Sequence, residues 1–379
     1  MSILDIVIYV AAFLAVYMQV FLFITFIQKK GLLKSDLKNM DIGSLPAITF
    51  LVPCWNEQFT LANTIESLRK INYPQDKFFM IVVDDGSVDG TWQEMQKYKD
   101  DAQIQILTQK NSGKHEALNN ALRYAKTELV ASIDADTVIK SDALMEAVSY
   151  FLKDKELSSV GCSVLIKTPK TFIQKAQSIE YQMYSFSKKM LSFLGGVLVV
   201  PGAFSIFKTK ILSDIGGWHA GNGLEDLELT YRMQVSGYKV AHCHSAIAYT
   251  SGPKSLRSLF KQRLRWGYGF LKNTSEYKYA MFNRKLGNFG FYTLPTALLS
   301  YVVILTVFSI SWYRIFNFFY EKIMIYRLVG FNAMFGDFSF SWFFVNTKAI
   351  VFITIVIIVL YVFYFVCYFF VIFYAIAVR

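Results

Sequence analysis

Hydrophobic patterning divides the chain before any motif is considered. From Ile6 to Gln28 no residue is charged, and the same holds from Leu286 to Tyr313 and from Ala349 to Val378. Each run is long enough to cross about 30 Å of hydrocarbon as a helix. Between the first two lies a mostly polar stretch of roughly 240 residues, enough for one large domain with its own core. Inside it, short apolar runs alternate with amphipathic ones. Ile48–Val52, Phe79–Val83, Ile104–Leu107 and Leu129–Ile133 read as strands. Helices are predicted from Asn56, as a cap, to Lys70, and over His115–Ala125. Elements in this order predict an α/β domain with a parallel sheet, whose ligand lies beyond the carboxyl ends of the strands.

The second half is less regular. Thr171–Phe193 is a long amphipathic stretch broken by Gly195-Gly196, Val197–Phe207 reads as a strand pair around Pro201-Gly202, and a helix opens near Glu225-Asp226 and runs to Val235. Over Ser255–Lys272, a helical projection puts Leu256, Leu259, Phe260, Leu264, Trp266, Phe270 and Leu271 on one side. Arg257, Lys261, Arg265 and Lys272 fall on the other. Such a helix lies in a membrane interface or packs on the core of its own domain. Arg263 sits among the apolar positions and needs a partner that the sequence does not name. Arg314–Lys348 mixes charges with aromatics, as an external loop, an interfacial helix or a broken span would. The expected organisation is a transmembrane helix over 1–30, a catalytic domain over 45–250 and an interfacial helix over 251–285. A membrane region over 286–379 follows, with two clear spans and room for a third.

Composition sharpens this. With 54% hydrophobic residues and a mean hydropathy of +0.34, the chain is too apolar for an ordinary soluble protein. The net charge of +11 suits either nucleic acid or a membrane surface with a diphosphate ligand, and the apolar runs favour the second. Lys29, Lys30, Lys34 and Lys38 follow the first run, so the N-terminus is expected outside and the polar domain in the cytosol. A cleaved signal peptide is disfavoured by the length of the run and by the lack of a preceding basic residue and of a small-residue cleavage site. Cys54, Cys162, Cys243 and Cys367 show no disulfide or metal spacing, as suits a reducing compartment.

Several short motifs can carry chemistry. Asp134-Ala135-Asp136 follows a buried-type strand; such a turn presents carboxylates to a hard divalent ion, or is a solvated turn. Asp84-Asp85-Gly86-Ser87 ends another strand, and Ser87 with Asp89-Gly90-Thr91 would also cap a helix. Asn111-Ser112-Gly113-Lys114 places a lysine at a turn. Glu225-Asp226 supplies a general base or a solvated acidic pair. In Gln262-Arg263-Leu264-Arg265-Trp266, Gln262, Arg265 and Trp266 share a helix face. There the arginine fork suits a diphosphate and the indole offers a flat face to a pyranose ring. His242-Cys243-His244 lacks further nearby Cys or His to complete a zinc site and reads as an edge strand.

In this order the motifs resemble the membrane-embedded processive family 2 glycosyltransferases, the group of cellulose, chitin, hyaluronan and poly-N-acetylglucosamine synthases. The resemblance runs from Ile48 to Lys272. It implies a cytosolic, GT-A-like Rossmann-type domain that binds a nucleotide sugar, with interfacial helices and flanking transmembrane helices. It also implies inverting transfer from a UDP-sugar to a growing β-linked polysaccharide, coupled to export through a multi-pass cell-membrane protein. UDP-N-acetylglucosamine is the expected donor, because Pro253–Asn273 looks closest to the poly-N-acetylglucosamine and hyaluronan synthases.

By the same resemblance Pro53, Glu57 and Asp85 lie at the nucleotide, Lys114 and Arg265 at the diphosphate, and Gly202, Gln262 and Trp266 at the acceptor. Asp134 and Asp136 would hold Mg²⁺ or Mn²⁺, Asp134 also lying at the donor, and Asp226 would be the base. Leu224 departs from the threonine usual before Glu-Asp. The implied partners are the UDP-sugar, the glycan chain and the bilayer, and not nucleic acid. Three spans enclose little, so a second copy or an accessory membrane subunit is expected. A single-addition transferase on a lipid acceptor usually lacks the Gln-x-x-Arg-Trp motif, and a non-catalytic scaffold would not need Asp136 and Asp226.

Overall fold

The structure, a computed structural model, describes residues 3–33 and 42–329. Lys34, Lys38, the third apolar run and the part of Arg314–Lys348 beyond Val329 lie outside them. The described chain forms two compact units, residues 29–295 and residues 3–28 with 296–329.

The smaller unit is made of helix α1 (Ile3–Lys29) and most of the last helix, α10 (Leu294–Val329). Both are long and apolar enough to cross a membrane. Of the alternatives for Arg314–Lys348, the described part is helical: α10 runs through Arg314 to Val329. Ile315, Phe316, Phe318 and Phe319 continue the apolar pattern, and the Arg314 charge is met by Asp5, 2.6 Å away. Ionisable side chains in such helices characteristically pair.

In the larger unit, β1 (Ile48–Cys54), β2 (Phe78–Asp85), β3 (Ile104–Gln109) and β4 (Leu129–Ile133) form a parallel array in the order β3-β2-β1-β4. Helices α2 (Leu61–Arg69), α3 (Thr91–Gln96) and α4 (Lys114–Tyr124) make the connections. β1, β2 and β4 are largely buried on both faces, which is why they read as continuous apolar runs, while β3 is an edge strand with Gln105 and Thr108 exposed. Phe50 packs with Phe78 and Phe204 on one face, while Leu51 joins Val83, Leu118 and Trp218 on the other.

Beyond β4 the sheet turns mixed. It continues as β7 (Phe204–Lys208), β6 (Leu157–Ile166), β8 (Lys239–Thr250) and the short β5 (Val138–Ile139), with β7 antiparallel to both β4 and β6. Helices α5 (Ala143–Lys153), α6 (Phe172–Phe193), α7 (Thr209–Asp214), α8 (Glu225–Val235) and α9 (Leu256–Glu276) complete the unit. Strand β8 is an edge at His242-Cys243 and is covered by β5 only at Ala248–Tyr249. The edge N–H of His242, buried under α6, donates to Ser192 of α6.

Local expectations fail at three places, each for a nameable reason. Asn56 does not cap α2: its φ is +58°, a conformation Asn tolerates better than most residues, and the helix begins at Leu61. At α3 the N-cap is Gly90, with no side-chain cap; Asp89, one residue earlier, accepts from the Thr91 N–H, and Ser87 accepts from the Asn56 N–H. Residues 197–203 are not a strand. Their backbone groups bond to one stripe of α8: Val197 N–H to Gln234, Val200 N–H to Thr230 and Gly202 N–H to Asp226. Side chains four residues apart on a helix share a face, so this stripe holds the segment as a neighbouring strand would.

Helix α9 opens with the Ser255/Ser258 capping box. Its apolar side is not packed on the domain: Leu256, Phe260 and Leu264 are 71%, 68% and 61% exposed. Phe270 departs from the expected arc and is buried with Gly269, Asn273 and Thr274.

Candidate active site

Strand register brings the acidic motifs together. Ile133 at the end of β4 pairs with Phe204 at the start of β7, and the Asp134 N–H reaches the Ala203 carbonyl. Asp134 and Gly202 are therefore neighbours across the sheet. The Asp226 carboxylate accepts from the Gly202 N–H at 3.0 Å and from the Leu227 N–H at 2.8 Å. Gly202 allows this approach, since a methyl group there would stand 3.1 Å from Lys114 Nζ and 3.4 Å from Asp226.

Lys114, in the first turn of α4, is the hub. Its Nζ lies 2.5 Å from Asp134 Oδ1 and 3.1 Å from Glu225 Oε1. Burial works against its charge, but Asp134 and Glu225 outweigh that, and its pKa lies above the ordinary lysine value. In return Lys114 holds the half-buried Glu225 below the usual carboxylate range. Asp226 moves the other way: burial, then the neighbouring Glu225 charge, raise it despite Lys114. Two adjacent carboxyls are thus pushed apart, the pattern of a site with one anionic anchor and one proton acceptor.

Asp136 is pushed up to about 6, first by burial and then by Asp134 and Glu57; among the described residues only the Thr137 and Thr250 hydroxyls hydrogen-bond to its oxygens, at 3.3 and 3.4 Å. Glu57 is itself raised by burial and by Asp134, and accepts from the Thr60 hydroxyl. Excess negative charge of this kind, on hard oxygen donors, fits a divalent cation. Among the described residues no group of three or more His, Cys, Asp or Glu side chains could hold an ion alone. Asp134 and Asp136 therefore fit an ion that takes its other ligands from substrate and water.

The turns after β1 and β2 are tied together. Asn56 N–H donates to Ser87 and Val88 N–H to Asn56; Gly90 N–H donates to Gln58 and Glu57 N–H to Thr91. Pro53 lies in β1 opposite Val83 of β2, immediately before these turns. Asp85, expected at the nucleotide, is buried. Its oxygens accept from Gln109, from the Ser112 N–H and from the Gly113 N–H. In the structure it fixes the turn that presents Lys114, with only residual lone-pair capacity for a ligand.

The Gln-x-x-Arg-Trp motif lies on α9 and is divided between two directions. Arg265 is exposed and donates to the Gly223 carbonyl at 3.2 Å, next to Glu225. Gln262 and Trp266 are half-buried against α6, where Tyr181 meets the Trp266 ring edge-on at 6.4 Å. The partner that Arg263 required is Glu180 of α6, at 2.5 Å. Residues that sequence reasoning missed are Glu180, Tyr181 and Lys188, all on α6. Burial lowers Lys188 to about 8 against the pull of Asp226. The available signal was polar residues inside an amphipathic stretch, which does not reveal what they face.

Comparison with known proteins identifies the family of the chain. The sequence profile described as "Glycosyltransferase like family 2" matches residues 46–269. A poly-beta-1,6-N-acetyl-D-glucosamine synthase of Staphylococcus epidermidis is 30% identical over 246 residues, 64% of this chain and 59% of that protein. The synthase of the same description from Staphylococcus aureus strain COL is 30% identical over 233 residues, covering 61% and 56%. The chain thus spans between half and two-thirds of the length of these relatives. Among solved structures, the mannosyltransferase PcManGT from Pyrobaculum calidifontis, in complex with GDP-Man and Mn²⁺, superposes with a TM-score of 0.56 at 22% identity, over 79% of this chain and 86% of that one. At that identity the likeness concerns the fold.

Proposed function

The chain belongs to glycosyltransferase family 2, and we propose that its site transfers a sugar from a UDP-sugar to a growing β-linked polysaccharide. The observation that carries this reading is the convergence of Lys114, Asp134, Glu225, Asp226 and Gly202 on one crevice, with the Trp266 platform on the adjacent helix. UDP-N-acetylglucosamine is the favoured donor, from the likeness to the staphylococcal synthases.

In this mechanism the nucleotide lies against the Pro53–Glu57 turn, with Asp85 holding the 110–113 turn in place. Lys114 exchanges Asp134 for the diphosphate and, with Arg265, stabilises the charge that develops on the leaving group. Asp134 and Asp136 would hold Mg²⁺ or Mn²⁺, which when bound neutralises diphosphate oxygens. Asp226 takes the proton from the acceptor hydroxyl while that oxygen attacks C1 opposite the departing diphosphate. One displacement inverts the anomeric centre, so an α-linked donor gives a β-linkage. Gly202, Gln262 and Trp266 hold the acceptor. The larger unit faces the cytosol, with α1 and α10 crossing the membrane. A cysteine at the exposed Lys126 should resist an impermeant thiol reagent in intact cells; labelling there would contradict the topology.

The reading is tested on purified full-length protein by UDP release from a panel of labelled UDP-sugars. UDP-N-acetylglucosamine should turn over fastest, and EDTA should stop turnover until Mg²⁺ or Mn²⁺ is restored. Turnover unaffected by EDTA would remove the ion from Asp134 and Asp136.

A further inference from the structure

Arg263 stands inside the motif but outside the roles given so far, and the sequence alone makes it an anomaly on the apolar side of α9. The structure accounts for its charge. Its Nη2 lies 2.5 Å from Glu180 Oε2, which ties α9 to α6. Its guanidinium carbon sits 4.4 Å from the centroid of the Trp266 ring. An arginine over an indole face is attracted by the ring quadrupole, most strongly where water is partly excluded. Here the guanidinium is mostly covered, with 28% of the side chain exposed. Tyr181, one residue after Glu180, meets the same ring edge-on. The indole is therefore held by a cation on its face and an aromatic at its edge; the cation stands on α9 and is tied to α6 through Glu180, and the aromatic stands on α6.

We propose that Arg263, anchored by Glu180, is a positioning residue that sets the tilt of Trp266 and so the register of the acceptor sugar. This deepens, and rests on, the reading of Trp266 as the acceptor platform. Two further atoms point to a polyhydroxylated ligand at this place. Gln262 Oε1 and Arg263 Nη1 are buried and have no hydrogen-bond partner among the described residues. Buried polar atoms are normally paired; an acceptor and a donor left open beside an aromatic platform match the hydroxyls and apolar face of a pyranose. A helix-to-helix tie alone would need neither the stacking on Trp266 nor the open atoms.

The test uses the full-length protein with UDP-N-acetylglucosamine and a β-linked N-acetylglucosamine oligosaccharide as acceptor. UDP affinity, donor hydrolysis by water, acceptor KM and product length are measured on each preparation. Arg263→Gln should raise acceptor KM about tenfold, the scale of a desolvated cation–π contact, and shorten the product. UDP affinity and hydrolysis should stay near wild type, which also reports a folded donor site. Arg263→Lys, which keeps the charge without the planar fork, should recover part of the loss. Glu180→Gln should shift the same parameter in the same direction by less. If wild type does not elongate at all, the proposed function falls and this inference with it. If wild type elongates and Arg263→Gln does so with unchanged KM and length, this inference alone is overturned. Equal loss of UDP affinity and elongation would also overturn it, since that is the behaviour of a general structural tie.

Discussion

Replacing Asp226 with Asn is expected to abolish transfer while leaving UDP-sugar binding largely intact. The substitution keeps the shape of the side chain and removes the base, so the loss should appear in rate, on the order of 10²–10⁴-fold for a general base. Binding should survive because the contacts assigned to the donor, Lys114 with Asp134 and Glu225, do not pass through Asp226. The Gly202 N–H and the Leu227 N–H both point at this carboxylate, and the amide oxygen of Asn can keep one of them. A pH profile supplies an independent check. Asp226 acts as the ionised form, and its pKa lies above the ordinary aspartate value, from burial first and the Glu225 charge second. Acidification therefore protonates the base at a higher pH than an ordinary aspartate would require, and activity is lost as the pH falls through that value. Wild-type kcat/KM should show this acid limb, and Asp226→Asn should lose the Asp226 part of it while keeping the part that Asp136, pushed up to about 6, contributes. Near-normal turnover in Asp226→Asn would remove the residue from the base role.

Trp266→Ala is expected to separate elongation from donor hydrolysis. The donor contacts are untouched, so UDP binding and slow release of free sugar should persist. Without the indole, the chain end is no longer held in line with C1, and misplacement by about 1 Å can cost about 10²-fold in rate. Losing an aromatic stacking surface removes roughly 1–3 kcal/mol by the scale measured on nucleic-acid bases. The direct readout is product length against UDP released in the same reaction. Normal polymer at a normal rate would leave the Gln262–Trp266 segment as an interfacial helix and remove the main support for elongation at this site.

How much of this was legible in the sequence depends on the range of the interaction. Three of the parallel strands were, because β1, β2 and β4 are largely buried on both faces; the edge strand β3 was legible from its short apolar run alone, despite the exposed Gln105. The turn after β4 was legible from the same burial, with Asp134 directly after the buried run; after β2 the strand instead runs on through the buried Asp84 and Asp85, which pair with Thr108 and Gln109 of β3. The amphipathic stretch Thr171–Phe193 was legible from its apolar spacing, and the structure makes it the helix α6, closed at its start by the Thr171/Gln174 capping box. What the sequence could not reveal were partnerships across large separations. Glu180 and Arg263 are 83 residues apart, and nothing local marks either as the other's counterion. The segment 197–203 looked like a strand because it is extended and apolar, yet its hydrogen-bond partners are the Asp226, Thr230 and Gln234 side chains. Asn56 failed as a cap because its turn is decided by bonds to the Ser87 loop, about thirty residues on. At the site the motif residues Lys114, Asp134, Gly202, Glu225 and Asp226 do come together. Arg265 and Trp266, adjacent in sequence, point to different neighbours, as consecutive helix positions must.

The most direct test of the central claim is the product itself. Purified full-length protein is incubated with UDP-N-acetylglucosamine and Mg²⁺ or Mn²⁺, and the anomeric configuration and length of the glycan are read by proton NMR. A single displacement assisted by Asp226 predicts a β-linked polymer from the α-linked donor. An α-linked product, or UDP release that yields only free sugar, would contradict it.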